Sequence, residues 1–351
     1  MSNVAIYGAG KFGKYFYECL EEVDFFIDDF TDIKVYHSKP VYKLEEVSKQ
    51  CIIYISILQH SQSIEKKLLF DGYDNVINFT HSISKMPTFL QRVAKDNYLW
   101  IVEDTEKMLD RKKLQAVEKL LNDTKSKQLL QQIIKLRATL DIKYYIHPEG
   151  IEYFPADVPI LENLDTLRFI DCGAYIGDTI VELTQQTQNI EYTLSFEPDN
   201  TNLAKLQKEI DIQKQKYPST SFFIYPAGVY SSNKILNFSN NGVDSSASLD
   251  ASSNIQVPVV SIDTVILNSA PNFIKMDIEG AEKEALIGAT KTIQKYKPNL
   301  AICLYHKPQD LWELPLLVKQ IEPSYDMYIK VHEDMCLSTV LYCISKERQD
   351  V

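Results

Sequence analysis

The sequence FIDCGAYIGDT, at residues 169–179, decides the fold of the second half of the chain. An apolar run ends in Asp171, and Gly173 and Gly177 then flank a short loop that leads into a predicted helix. Glycine allows tight turns and keeps side chains away from a ligand. A strand, a glycine loop and a helix in this order are typical of the first turn of an α/β domain that holds a ligand at its strand ends.

The alternation of strands and helices continues after this loop. Strand candidates cover residues 168–171, 193–197, 222–226, 273–277 and 300–306, with helical stretches such as 179–187 and 203–213 nearby. Two β-rich runs joined by a short acidic turn follow, at residues 325–331 and 338–344. We therefore predict an α/β domain over residues 166–351, with a parallel sheet and a terminal antiparallel hairpin.

Acidic residues and a histidine stand at the carboxyl ends of these predicted strands. Glu197 ends the second strand, Asp277 ends the fourth and precedes Glu279, and His306 ends the fifth. Because the carboxyl ends of parallel strands meet at one edge of a sheet, we expect these side chains to lie together. A carboxylate at a strand tip costs desolvation and therefore indicates contact or catalysis. The alternatives are an ordinary loop acid at Glu197 and a structural histidine at His306.

A second glycine pattern, G-x-G-x-x-G, is formed by Gly8, Gly10 and Gly13. A strand precedes it, a helix follows, and Asp28 stands at the end of the next strand, where an acid can take ribose hydroxyls. Residues 1–85 are predicted to be a small Rossmann-like domain, shorter than a full dinucleotide fold. It resembles the small domain at the N-terminus of sugar-modifying acyltransferases and of some methyltransferases. Nucleotide or nucleotide-sugar binding and a packing role both remain open.

Residues 86–165 are predicted to be a helical connector between the two domains. The stretch 86–145 contains no glycine, and its apolar residues recur at helical spacing. We interpret these helices as a scaffold and as a candidate homodimer surface.

The composition excludes several classes of function. A net charge of −11 without a basic stripe argues against nucleic-acid binding. No apolar run is long enough to span a bilayer, and the N-terminus lacks a secretory pattern, so we expect a cytoplasmic protein. The six cysteines include no CxxC pair, which favours reduced thiols over disulfides or a zinc site.

The sequence IKMDIEGAE, at residues 274–282, resembles the hallmark of the FkbM family of methyltransferases. Supporting similarities lie at residues 169–179, 196–198, 245–248 and 257–263. The resemblance covers about residues 168–345 and does not extend through 86–165. It implies a class I methyltransferase fold, S-adenosylmethionine as cofactor, and O-methylation of a hydroxyl. It does not identify the acceptor, because many chemistries share this fold.

The resemblance also implies a cofactor site along the strand ends. The first loop would enclose the methionine part of the cofactor, although Tyr175 replaces the middle glycine of the usual D-x-G-x-G-x-G pattern. Glu197 would accept hydrogen bonds from both ribose hydroxyls. Small residues after the third strand would leave room for adenine, although Gly228 also fits an ordinary turn. The predicted cofactor-binding residues are Asp171, Gly173, Ala174, Tyr175, Gly177, Thr179, Glu197, Pro198, Ala227, Gly228 and Asp277.

The candidate catalytic residues are Asp277, His306 and Glu279. A sugar hydroxyl is a poor acid, so its proton must leave at or near methyl transfer. We predict that His306 and Asp277 act as the base and orient the hydroxyl; His332 is a second candidate. No metal site is predicted. The alternative is a divalent cation such as magnesium or calcium, held by Asp277, Glu279 or His306.

The expected partner is a small-molecule or carbohydrate acceptor, with nucleotide-linked sugars among the candidates. Two competing hypotheses use other features of the chain. The first is an NAD(P)-dependent oxidoreductase or a nucleotide-sugar-binding protein that uses Gly8 to Gly13. The second is a non-enzymatic scaffold that retains the fold. Binding of S-adenosylhomocysteine would support methyl transfer, whereas binding of NAD alone would support hydride transfer.

Overall fold

The computed structural model of the 351-residue chain describes residues 3–58, 61–162, 164–240, 247–249, 255–266 and 270–346. It divides into two compact units. One comprises Met1–Lys107 and Gln132–Ile146, and the other comprises Met108–Gln131 and His147–Val351. The predicted connector, residues 86–165, is therefore shared between the two units. No helix in the described ranges is both long and apolar enough to cross a membrane.

The first unit is built on a six-stranded sheet with the strand order β3-β4-β2-β1-β5-β6. Its main strands are parallel, and β3 pairs antiparallel with β4. The strands are β1 (Val4–Tyr7), β2 (Phe25–Ile27), β3 (Val35–Tyr36), β4 (Lys39–Tyr42), β5 (Ile52–Ile55) and β6 (Asn75–Ile77). The helices in this part of the chain are α1 (Lys11–Cys19), α2 (Ser61–Phe70), α3 (Phe79–Ser84), α4 (Phe89–Ala94) and α5 (Thr105–Met108).

The glycine pattern of the first unit forms the tight turn between β1 and α1. A Cβ atom on Gly13 would lie 2.2 Å from the carbonyl oxygen of Gly8, so the helix needs glycine there to pack against the strand end. The Asp28 carboxylate accepts the backbone N–H of Ala9 at 2.9 Å and also that of Phe30 at 2.9 Å. Asp28 thus ties the glycine turn to the loop after β2. Nucleotide binding at this turn stays a prediction.

The second unit is built on a seven-stranded sheet with the order β16-β17-β15-β14-β7-β8-β9. The strands β7, β8, β9, β14 and β15 are parallel, and β17 runs antiparallel to both of its neighbours. The strands of this sheet are β7 (Leu167–Cys172), β8 (Ile190–Phe196), β9 (Ser221–Tyr225), β14 (Phe273–Met276), β15 (Asn299–Cys303), β16 (Asp326–Val331) and β17 (Thr339–Ile344). The predicted parallel sheet and its terminal hairpin are confirmed.

Helices precede and alternate with the strands of the second unit. They are α6 (Arg111–Leu120), α7 (Thr124–Thr139), α8 (Asp178–Gln186), α9 (Asn200–Lys216), α10 (Ile262–Val265), α11 (Glu282–Gly288), α12 (Thr290–Tyr296) and α13 (Asp310–Ile321), with α7 crossing the boundary of the unit. The Asp199 side chain caps α9 by accepting the N–H groups of Thr201 and Asn202. The core includes the fully buried Phe169 and Phe273 on the central strands. Because these central strands are buried, their sequences consist mainly of apolar residues.

A four-stranded sheet between β9 and β14 was not predicted. Its order is β10-β13-β11-β12, with β10 (Gly228–Val229), β11 (Lys234–Asn240), β12 (Ala247–Leu249) and β13 (Ile255–Val260). The strands β10 and β12 are short, and β11 mixes polar and apolar residues, so the sequence gives a weak strand signal. Of the serine-rich stretch 245–248 that contributes to the family resemblance, Ser245 and Ser246 lie outside the described residues.

Candidate active site

The loop after β7 is joined to the ends of both neighbouring strands. The N–H groups of Gly173 and Ala174 donate to the carbonyl oxygen of Phe196, each at 3.0 Å. Gly173 has φ +83°, and a Cβ atom there would lie 1.9 Å from the Asp277 carbonyl oxygen. From the sequence alone, this glycine was expected to leave room for a ligand. In the structure, the close approach of the β14 end already requires it.

We expect Gly173→Ala to abolish binding of S-adenosylhomocysteine and to lower the melting temperature, since the clash is with backbone and a positive φ adds strain of about 1 kcal/mol. Gly10→Ala is the matched control, because no atom lies within 4 Å of a Cβ atom at that position. Calorimetric titration and thermal unfolding measure both effects. Wild-type binding by Gly173→Ala would show that the loop tolerates a side chain.

Tyr175 and Glu197 fix the loop to the end of β8. Tyr175 adopts a left-handed conformation with φ +46°, which explains how a tyrosine takes the place of a glycine. Its N–H donates to Glu197 Oε2 at 2.9 Å, and the N–H of Asp199 donates to Oε1 at 2.8 Å. Burial raises the pKa of Glu197 to about 7, although these two N–H groups favour its ionised form. Glu197 is thus a buried acid that the backbone holds in place.

Asp171 forms a buried ion pair with Lys275 instead of facing the crevice. The Lys275 Nζ lies 3.1 Å from Asp171 Oδ1, and the exposed fractions of the two side chains are 3% and 0%. The same ammonium donates to the Gly173 carbonyl oxygen at 2.7 Å. Burial raises the pKa of Asp171 to about 6, and the positive charge of Lys275 opposes this rise. Any effect of Asp171 on a bound cofactor would therefore be exerted through the conformation of the loop.

Asp277 stands at the centre of a hydrogen-bonded group at the end of β14. The hydroxyl of Tyr153 donates to Asp277 Oδ2 at 2.8 Å, and that of Tyr305 donates to Oδ1 at 3.0 Å. Burial opposes ionisation of Asp277, but the contact with His306 and the charge of Lys275 hold its pKa well below the usual range. Asp277 is therefore a carboxylate at neutral pH.

Three further members of this site, Tyr153, Tyr305 and Lys275, were not predicted from the sequence. Tyr305 directly precedes His306, and Lys275 interrupts an apolar strand, so both carried a local signal. Tyr153 had none, because it lies 124 residues before Asp277 in sequence.

His306 lies between three carboxylates, those of Asp277, Glu279 and Glu282. Its Nδ1 is 2.9 Å from Glu282 Oε1, and its Nε2 is 3.3 Å from Asp277 Oδ1 and 3.6 Å from Glu279 Oε2. Burial disfavours protonation, but the charge of Glu282 and the contact with Asp277 raise the pKa of His306 well above its ordinary value. Only 2% of the His306 side chain is exposed, against 23% for Asp277 and 24% for Glu279. The two carboxylates, rather than the imidazole, therefore face solvent.

Glu279 lies in the turn between β14 and α11, and Glu282 is the first residue of α11. Glu279 has φ +55° and Gly280 has φ +90°, so two consecutive left-handed residues turn the chain there. Burial raises the pKa of Glu279 to about 7. Glu282 accepts the N–H of Ile278 at 2.9 Å and is 1% exposed. Glu282 thus both caps this turn and contacts His306.

The remaining predicted residues follow β7, β8 and β9 along the chain. Gly228 pairs with Val259, and a Cβ atom at Gly228 would lie 3.9 Å from the Pro198 ring, which places Pro198 beside this strand. Ala227 and Thr179 are buried, with Thr179 in the first turn of α8.

His332, the second candidate base, contacts a residue of β17. Its Nε2 is 2.8 Å from the Tyr342 hydroxyl, and burial lowers its pKa to about 4.

Residues 171–331 match the family model described as the methyltransferase FkbM domain. This part of the chain is an FkbM methyltransferase domain. The match starts at Asp171 and includes the loop, Glu197, Asp277 and His306, so the domain contains every predicted cofactor-binding and catalytic residue. The chain is accordingly a methyltransferase with an S-adenosylmethionine-binding fold.

Solved structures resemble the FkbM domain and its surroundings to different degrees. A methyltransferase FkbM from Methylobacillus flagellatus KT is 22% identical, with 98% of this chain and 90% of that chain covered and a TM-score of 0.66. A precorrin-6y C5,15-methyltransferase from Geobacter metallireducens GS-15 is 10% identical, with 53% and 84% covered and a TM-score of 0.34. Fibrillarin of Aeropyrum pernix, in complex with S-adenosylmethionine, is 6% identical, with 54% and 70% covered and a TM-score of 0.32. No curated protein matches the chain.

Proposed function

We propose that this protein is an S-adenosylmethionine-dependent O-methyltransferase that acts on a hydroxyl of a sugar, a nucleotide-sugar or a related small molecule. The observation that carries the proposal is the group formed by Asp277, Glu279 and His306 at the ends of β14 and β15. It lies on the same sheet edge as the glycine loop, since Gly173 packs against the Asp277 backbone. A methyl donor and an acceptor would therefore meet at this edge.

The strand-end residues fit S-adenosylmethionine by the chemistry of their donor set. Glu197 offers a carboxylate that can accept hydrogen bonds from ribose hydroxyls. The negative charge of the Asp277 carboxylate attracts a positively charged sulfonium or ammonium group. When bound, this cofactor supplies a methyl group whose bond to sulfur breaks as its bond to the acceptor oxygen forms.

The acceptor proton must be taken up by a group that faces the crevice. His306 is buried and held in its protonated form by the flanking carboxylates, so it is poorly suited to accept a proton. Glu279 is partly exposed and has a pKa raised to about 7 by burial, close to the pH at which a base works best. The proposed division of labour is that Asp277 orients the hydroxyl, Glu279 takes its proton, and His306 positions both carboxylates.

The proposal is tested by titrating the full chain with S-adenosylhomocysteine and separately with NAD. Saturable binding of S-adenosylhomocysteine without NAD binding supports methyl transfer, and NAD binding without S-adenosylhomocysteine binding overturns it. Radiolabelled S-adenosylmethionine is then supplied with neutral sugars and nucleotide-sugars, and NMR of the product locates the methyl group. Cofactor binding without any methylated hydroxyl would contradict the proposed acceptor class.

We expect S-adenosylhomocysteine to bind more tightly as pH rises to about 7, because burial raises the pKa of Glu197 to about 7 and only the carboxylate accepts both ribose hydroxyls. Affinity should fall about tenfold for each pH unit below 7 and level off above it. Glu197→Gln should bind more weakly and lose this dependence. The check is calorimetric titration from pH 5.5 to 8.5, and an equal slope in Glu197→Gln would assign the titration to another group.

A further inference from the structure

The imidazole of His306 is buried among acids without a hydrogen bond. Only 2% of its side chain is exposed, and in the described part of the chain neither ring nitrogen has a hydrogen-bond partner of acceptable geometry. Carboxylate oxygens nevertheless lie 2.9, 3.3 and 3.6 Å from these nitrogens. Buried polar groups are normally hydrogen-bonded, so an imidazole in this position indicates a further bound group.

The spacing around His306 Nε2 is that of ligands around one metal ion. Asp277 Oδ1 lies 3.3 Å and Glu279 Oε2 lies 3.6 Å from Nε2. Atoms bound to one ion at about 2.1 Å lie roughly 3.0 to 3.5 Å apart at tetrahedral or octahedral angles. The Asp277 oxygen lies within this range and the Glu279 oxygen just outside it, so both are near enough to Nε2 to share an ion with it.

The other ring nitrogen of His306, Nδ1, lies beside a carboxylate, that of Glu282. His306 Nδ1 lies 2.9 Å from Glu282 Oε1, and a second carboxylate on the far nitrogen is the usual way to orient a metal-binding imidazole. Asp277, Glu282 and His306 also offer one ligand atom each within 4.8 Å of one another. Glu152 adds a further carboxylate beside Asp277, in a second group of this kind with Cys303.

We propose that Asp277, Glu279 and His306 bind a divalent cation on the acceptor side of the active site, with Glu282 orienting the imidazole. Two carboxylates and one imidazole suit an ion of the manganese type. The cation takes the place of the proton that the carboxylates otherwise hold on Nε2. Its role rests on the proposed function: it binds the acceptor hydroxyl and makes that hydroxyl more acidic, and Glu279, bound to the cation through one oxygen, takes the proton on the other.

The experiment is a titration of the metal-free full chain with manganese(II), followed by electron paramagnetic resonance. The expected result is one ion per chain at micromolar concentrations, with nitrogen coupling from one imidazole in the spin-echo spectrum. His306→Gln should lose the nitrogen coupling, and Asp277→Asn should bind at least 100-fold more weakly. Glu313→Gln is the control, because Glu313 pairs with Lys283 at the surface and should leave manganese binding unchanged.

The inference fails if manganese does not bind below millimolar concentrations, or if the nitrogen coupling persists in His306→Gln. Circular dichroism verifies that each variant is folded. S-adenosylhomocysteine binding and methyl transfer are measured in the same samples. If S-adenosylhomocysteine binding and methyl transfer are both normal after removal of metal, the role of the cation in transfer is overturned while the proposed function stays intact. Absence of cofactor binding overturns the proposed function, whether or not manganese binds.

Discussion

Replacing His306 with alanine is expected to lower the rate of methyl transfer by a factor of about 10² to 10⁴ while leaving S-adenosylhomocysteine affinity within about threefold. The imidazole is the positive group between Asp277, Glu279 and Glu282, at 3.3, 3.6 and 2.9 Å. Without it, the three acids repel one another, and Asp277 loses a contact that favours its ionised form. The hydroxyl would then be neither oriented nor deprotonated.

Steady-state kinetics with an acceptor that the wild-type protein methylates measure this loss, and the pH profile shows its origin. Removing a positive charge raises the pKa of neighbouring carboxylates, so the acidic limb of the rate profile should move to higher pH in His306→Ala. His37→Ala, in the first unit, is the matched control and should keep the wild-type rate and profile. If His306→Ala has the wild-type turnover number, His306 has no role in the mechanism.

The parallel sheet, and the edge of it where the candidate site lies, were predictable because both follow from the pattern of residues along the sequence. Buried parallel strands give apolar runs, and Glu197, Asp277 and His306 stand directly after three of them. The topology of an open parallel sheet then brings the strand ends to one edge. No knowledge of side-chain contacts was needed to choose these residues as candidates.

The roles of individual residues were less predictable because they depend on contacts between distant segments. Gly173 is glycine because the β14 end approaches it, and Asp171 is buried against Lys275 instead of facing the crevice. Tyr153 reaches Asp277 from a segment that the sequence analysis placed in the helical connector. Spacing along the chain carries no information about such approaches, whereas the strand ends follow from topology.

Lys275→Met should destabilise the methyltransferase domain by about 3 to 5 kcal/mol, the usual cost of leaving a buried charge without its partner. Asp171 is fully buried 3.1 Å from the Lys275 ammonium, which also donates to the Gly173 carbonyl oxygen. The control is Lys283→Met: Lys283 is 54% exposed and lies 2.8 Å from Glu313, so its loss should cost about 0 to 1 kcal/mol. Urea unfolding monitored by hydrogen exchange of the β14 amides measures both variants in this domain.

Two further measurements separate loss of charge pairing from loss of packing. Asp171→Asn combined with Lys275→Met should recover a large part of the stability, because the amide carries no uncompensated charge. The folded pKa of Asp171 is about 6, above its ordinary 3.8, and loss of Lys275 raises it further. Protonation therefore relieves the buried charge as pH falls, and the deficit of Lys275→Met should shrink between pH 7 and pH 5. A deficit that stays constant with pH and persists in the double variant would assign the effect to packing of the lysine chain.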